Sequence, residues 1–304
     1  MKLATSCNII CFRPSGTMIP IEQTLELASQ AGFKYYDISF WDWSLPGSPF
    51  LTDNWKYWIH NVANAAAYYG VEFVQGHAYT YPFLNINMTA EECECHEMLT
   101  RRSIDCCSIL GVKICVTHPD TDWRSVDRVK SSKAKNIEYF KNLLEYTMRR
   151  DMELAIENMC NFDILPKAKY CSFTEELIEL VDTFQNTVHN DHLGICWDFE
   201  HAEIMKIDQR ESLLAIGGML KATHVSDTHS QSDSDLMHIM PMFGKIDWRT
   251  IVKTLREINY QGYFSYEAHN YANTLPDEVI PTALKLSYEI GEYLVNLEKV
   301  VDSV

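Results

Sequence analysis

Positive charge is scarce in this chain: 26 Lys and Arg stand against 42 Asp and Glu, a formal net charge of −16 with a sequence pI near 5.1. A field of that sign repels phosphate backbones and anionic membrane surfaces, which excludes nucleic acid held by counterion release. Ten cysteines are present, but no two form a CxxC pair. A zinc ribbon is therefore excluded, and most of the cysteines sit in apolar runs such as Ile114-Cys115-Val116 and Ile195-Cys196-Trp197, as small hydrophobes of a reduced interior. No stretch approaches the ~18 uninterrupted apolar residues of a membrane span. The apolar run after Met1-Lys2 is too short for a signal-peptide core, so a soluble cytoplasmic protein is expected. No Pro-, Gly- or Ser-rich linker divides the chain, and residues 1–304 are expected to form one domain. No glycine-rich phosphate cradle occurs toward the C-terminal end of the chain, which disfavours a phosphorylated ligand.

What is present is ordinary globular composition, 46% hydrophobic and 22% charged, ample for a large core. Short β-branched or aromatic runs alternate with segments of helical period along the whole chain. The runs at 3–10, 35–39, 71–75, 112–117, 153–157, 194–197, 222–225 and 262–266 predict eight strands. The segments at 21–30, 55–69, 90–110, 132–150, 174–184, 207–216, 248–258 and 277–296 predict the helices between them. Eight βα units predict an α/β fold, a single (β/α)8 TIM barrel; a doubly wound open sheet is the alternative. Two long loops, 40–54 with Trp41 and Trp43, and 226–245 with Asp227, His229, Asp233, Asp235 and His238, follow strands and belong on the C-terminal face, where barrels carry their active sites.

The ends of the last four strands carry Glu157, Asp198, His224 and Glu267. One polar residue at a strand end is ordinary, because the backbone there meets water. Three carboxylates and an imidazole converging on one rim repel each other unless a cation compensates. This donor set suits a divalent metal, Mn²⁺ first, with Mg²⁺, Co²⁺ or Zn²⁺ open, since no thiolate forces zinc. His77, His118 and His201 follow strands three, four and six on the same rim, and His269 lies two residues beyond Glu267. Trp41, Trp43, Tyr79, Tyr81 and Phe83 offer flat faces on which a ligand ring could stack, or else cap the barrel as core. Arg13 is the cation expected to touch substrate.

The segments Ala155-Ile156-Glu157-Asn158, Trp197-Asp198-Phe199-Glu200-His201, His224-Val225-Ser226-Asp227, Gly244-Lys245-Ile246-Asp247-Trp248 and Ser265-Tyr266-Glu267 occur in an order and spacing that resembles the xylose-isomerase-like superfamily of TIM barrels, the sugar phosphate isomerase/epimerase group. The resemblance implies that Glu157, Asp198, His224 and Glu267 bind one metal. It also implies that the two glutamates act as acid and base, and that His201 contacts substrate hydroxyls. His118 is a second catalytic candidate, and His77 and His238 are candidates for substrate binding. The implied function is a metal-dependent sugar isomerase or epimerase that abstracts a proton beside a carbonyl.

Two departures matter. Ketose 3-epimerases carry an arginine shortly after the equivalent of His224, and Asp227-Thr228-His229-Ser230-Gln231 has none. The abasic-site endonucleases of the superfamily use three zincs; His77, His118, His201 and His238 match several of their extra ligands, but Leu236-Met237-His238 replaces the Asp-Arg-His that completes the third site. A lyase acting on oxo-sugars or glycosides is the alternative, like an inosose dehydratase or the catalytic subunit of a C-glycoside deglycosidase. In a deglycosidase His118 or His77 would be the base and a small β-rich subunit the partner. A non-catalytic barrel subunit is the minor alternative. Otherwise a homo-oligomer is expected, as superfamily barrels often associate, with the last helix, ending at Glu298-Lys299-Val300-Val301, against a neighbour.

Overall fold

The computed structural model describes residues 1–161, 168–230 and 236–297. Eight strands, β1 (Lys2–Ser6), β2 (Tyr35–Ser39), β3 (Glu72–His77), β4 (Ile114–Thr117), β5 (Glu153–Glu157), β6 (Leu193–Asp198), β7 (Leu220–His224) and β8 (Tyr263–Tyr266), lie in the order β7-β6-β5-β4-β3-β2-β1-β8. Every paired neighbour is parallel. The ring closes just past β7, where the Val225 N–H donates to the Ser265 carbonyl at 2.8 Å and the Glu267 N–H donates back to Val225 at 3.0 Å. This is a (β/α)8 TIM barrel, nearly closed. Asp233, Asp235 and the segment Glu298-Lys299-Val300-Val301 lie outside the described residues.

Two apolar layers explain why the sequence closes this way. Small residues fill part of the barrel, with Val116, Ala155, Cys196 and Ala222 packed together and fully buried. Large ones, among them Tyr36, Phe33, Phe264 and Trp248, form the main core with the surrounding helices. The helices are α1 (Ile21–Ala31), α2 (Trp55–Tyr69), α3 (Ala90–Ile109), α4 (Arg128–Met148), α5 (Thr174–Val188), α6 (Phe199–Ile204), α7 (Gln209–Ile216), α8 (Trp248–Glu257) and α9 (Ile280–Val295). Thr89 and Glu92 close a capping box on α3. Gly70, left-handed at φ 66°, ends α2 where only a residue tolerant of positive φ fits cheaply. No helix of the described residues is long and apolar enough to cross a membrane.

Three expectations are corrected in detail. β1 stops at Ser6, not at residue 10, because residues 7–10 form a turn; there Asn8 donates to the Ser39 carbonyl and to Asp42. α4 begins at Arg128, four residues before 132, because the Asp127 carboxylate caps it by accepting from the Lys130 N–H. The short helix α6 was not expected at all. All ten cysteines are free, eight of them buried.

The loop after β7 is organised by one buried carboxylate. Asp227 accepts from the backbone N–H groups of Thr228, Met242, Lys245 and Ile246 and from the indole N–H of Trp248, at 2.8 to 3.2 Å. Gly244 is required beside it, since a Cβ there would stand 2.1 Å from Asp227 Oδ1. The sequence pairing of Ser226-Asp227 with Gly244-Lys245 is thus a structural staple. Asp227→Ala orphans five donors, three of them buried, and should cost about 3 kcal/mol or more. Urea unfolding checks this; an unchanged midpoint would contradict the assignment.

Candidate active site

Four consecutive strand ends deliver the donors. One ligand atom each from Glu157, Asp198, His224 and Glu267 falls within a group whose members all lie within 4.8 Å of one another. His224 Nδ1 is 3.1 Å from Glu157 Oε1 and 3.3 Å from Glu267 Oε2, yet neither ring nitrogen makes a hydrogen bond. Asp198 is fully buried; its Oδ1 accepts from the His201 N–H at 2.6 Å, which starts α6, while Oδ2 has no partner. The Asn158 side chain ties the tops of β5 and β6 together, accepting from the Asp198 N–H at 2.6 Å and donating to its carbonyl at 2.9 Å.

Electrostatics set these groups against each other. Burial alone would raise Glu157, but His224 and His118 hold its carboxyl well below the usual range. Burial, reinforced by the charges on Glu157 and Asp198, pushes Glu267 well above it. Burial works against charge on His224, yet Cys196, Glu157 and Glu267 keep its imidazole well above the histidine norm. Orphaned buried acceptors and crowded carboxylates are what a divalent cation would satisfy, so the residues fit one. Those able to hold it are Glu157, Asp198, His224 and Glu267.

A second cluster shares Glu157. His77 Nε2 lies 2.9 Å from His118 Nε2, and both are 3.1 Å from Glu157 Oε2. His77 Nδ1 donates to the Ala78 carbonyl at 2.8 Å, which fixes the ring with Nε2 toward Glu157 and His118. Burial lowers His118 to about 4. This trio could hold a proton or a cation between its members. His201 donates from Nδ1 to the Asn158 carbonyl at 2.8 Å, leaving Nε2 as its second nitrogen.

Glu157, Glu267, His77, His118 and His201 line a cavity of about 480 Å³, together with Trp41, His238 and His269, whereas Asp198 and His224 are buried and do not line it. His238 is held from below by Glu200, whose oxygens accept its backbone N–H at 3.0 Å and the Ser226 hydroxyl at 2.5 Å. Burial raises Glu200 above the usual carboxylate range. His269 stacks on His238 and lies 3.3 Å from Asp42, and burial lowers it to about 4. Trp41 is 59% exposed and stacks on Tyr79.

The structure does not bring every candidate to the cavity. Arg13 is 6% exposed, and its guanidinium is taken up by Asp277 at 2.8 Å and by the carbonyls of Ala272 and Leu275. It clamps the loop after β1 to the loop after β8 and does not line the cavity. Trp43 is core, packed on Trp58, and Phe83 packs on Tyr139. Sequence reading missed Asp42, Lys169 and the supporting residues Asn158 and Glu200. Only Asn158 and Glu200 had a signal, standing beside or two residues beyond a ligand.

A family description, xylose isomerase-like TIM barrel, matches residues 25–290. An uncharacterised protein of Sinorhizobium fredii, y4fM, is 27% identical over 172 residues, 56% of this chain and 51% of that protein, so the chain spans about half the length of this curated relative. Solved structures with the same architecture include a D-tagatose 3-epimerase-like protein, 18% identical with TM-score 0.71, covering 99% of this chain and 100% of that one. The 3-keto-D-glucoside 4-epimerase YcjR of E. coli is 17% identical with TM-score 0.69, over 96% and 99% of the two chains. The IolI protein, crystallised with a zinc atom, is 19% identical with TM-score 0.74, over 97% and 98%.

Proposed function

This chain belongs to the xylose isomerase-like TIM-barrel family, and from that premise we propose that it is a divalent-metal-dependent isomerase or epimerase acting beside the carbonyl of a sugar. The observation that carries the reading is the convergence of Glu157, Asp198, His224 and Glu267, two of which, Glu157 and Glu267, line a cavity spacious enough for a sugar. The epimerases among its structural neighbours support the same class. Mn²⁺ is our first choice for mixed oxygen and imidazole ligation, and the zinc atom of the IolI structure keeps Zn²⁺ open.

A divalent ion held by this quartet would supply positive charge that stabilises negative charge growing on the substrate's carbonyl oxygen. The protein's own groups do the rest. Glu157 or Glu267 takes the proton from the carbon beside the carbonyl, and the C–H electron pair moves into the carbonyl group. The other carboxylate returns a proton to the opposite face of that carbon, giving the epimer; return to the former carbonyl carbon, with the adjacent hydroxyl's proton passing to the former carbonyl oxygen, gives the isomer. His201 and His118 position or polarise substrate oxygens, His77 braces Glu157, and Trp41 and His238 close over the ring. Arg13 has no part, because its donors are spent on Asp277 and two carbonyls.

The test is solvent exchange. The protein is incubated with Mn²⁺ and a panel of ketoses and 3-oxo-glycosides in D₂O, and the products are read by mass spectrometry. Deuterium beside the carbonyl with an isomeric sugar is the expected result. Release of a free phenol from a 3-oxo-glycoside would move the assignment to the lyases, and absence of exchange across the panel would contradict it.

A further inference from the structure

Lys169 is the single Lys or Arg among the described residues that line the cavity. The other cation near the mouth, Arg13, is tied off as described above. Lys169 also lines the adjoining groove of about 250 Å³, which shares Trp41, Thr80, His118 and Met159 with the cavity, so it stands where the two meet. Its backbone is fixed on both sides: the N–H donates to Asn161 Oδ1 at 2.9 Å, and the carbonyl accepts from the Ser172 N–H at 3.2 Å. Its half-buried side chain makes no ion pair among the described residues. Burial raises the nearby Asp120 carboxyl, with Lys169 acting against the rise, and its oxygens are already engaged by the N–H groups of Leu84 and Thr121.

The cavity is therefore electrically lopsided. Asp42, Glu157 and Glu267 line it, and one ammonium sits at the junction with the groove. A ligand with its carbonyl among the carboxylates and a negative group elsewhere has one favourable orientation. A single point charge on a flexible stem matches a monoanion. A phosphate dianion would need several converging donors, and three nearby carboxylates oppose it. We infer that Lys169 is a specificity-determining residue that makes this site prefer sugars bearing a carboxylate over their neutral counterparts. The inference rests on the sugar reading above and names the substrate class within it.

A matched pair of inert probes tests it without turnover: methyl β-D-glucuronide and methyl β-D-glucoside, which differ only in a carboxylate for a hydroxymethyl group. Calorimetric titration of the metal-loaded protein should give at least about tenfold tighter binding of the glucuronide, the scale of one charge-assisted hydrogen bond. Lys169→Met should erase the ratio, and Lys169→Arg should keep most of it. Equal affinities in the parent protein would overturn the inference. So would a ratio that survives in Lys169→Met, which places the carboxylate on the metal, or failure of both probes to bind. Failure of the isomerase reading is seen separately, in the exchange assay, where no sugar of either kind would take up deuterium.

Discussion

Glu157→Gln should lower deuterium exchange into substrate by roughly a thousandfold or more, the range over which positioned acid–base groups act. Glu157 is the hub of the site. Its Oε2 meets His77 and His118 at 3.1 Å, and its Oε1 lies 3.1 Å from His224 and 3.4 Å from His201. A glutamine keeps the shape but loses the charge that holds these imidazoles and the basic oxygen that accepts a proton. Glu267→Gln should cost a similar factor, with less disturbance of the histidines, because of them Glu267 is within ion-pair distance of His224 alone among the described residues. Near-native exchange in either variant would remove the carboxylate pair from the mechanism.

Asp198→Asn should separate metal binding from folding. Asp198 has two duties on two atoms: Oδ1 caps α6, and Oδ2 is the orphan among the ligands. Asparagine caps a helix as well as aspartate does, so its oxygen preserves α6. Its amide nitrogen then stands where the ligand oxygen was, and an N–H donor cannot coordinate a cation. Metal affinity should fall at least roughly a hundredfold, since even the hydrogen-bond partners of metal ligands are worth 10–100-fold. The metal-free variant should melt no lower than the metal-free parent, because one of three crowded carboxylates has become neutral. The parent should gain stability on adding metal and the variant should not. Unchanged metal content in the purified variant would contradict the ligand assignment.

Much of this was legible because chemistry interrupts pattern. Glu157 and Asp198 break apolar runs at their C-terminal ends, His224 and Glu267 stand at the ends of the next two strands, and a (β/α)8 reading puts all four on one rim without knowledge of any contact. Where local pattern and tertiary partner disagreed, the sequence misled. Residues 7–10 read as strand because they are apolar, but Asn8 is bonded to Ser39 and Asp42, more than thirty positions away, and turns the chain. Arg13 read as the cation expected to touch substrate; its partner, Asp277, lies 264 positions along the chain. α6 escaped notice because it is one short turn nucleated by a side chain already assigned to the metal. Lys169, in Ala168-Lys169-Tyr170, has no motif, and only the path of the loop after β5 brings it to the cavity.

Exchange measured through a cycle of chelation decides whether the carboxylates at the barrel rim work through a cation. With a substrate that takes up deuterium, the protein is assayed as purified, after exhaustive removal of metal, and after Mn²⁺ is restored. The account predicts that exchange disappears with the metal and returns with it, and that Asp198→Asn stays inactive at Mn²⁺ concentrations that restore the parent. Exchange that persists in the stripped protein would mean that the carboxylates at the ends of β5 and β8 work without a cation, and the metal centre would have to be abandoned.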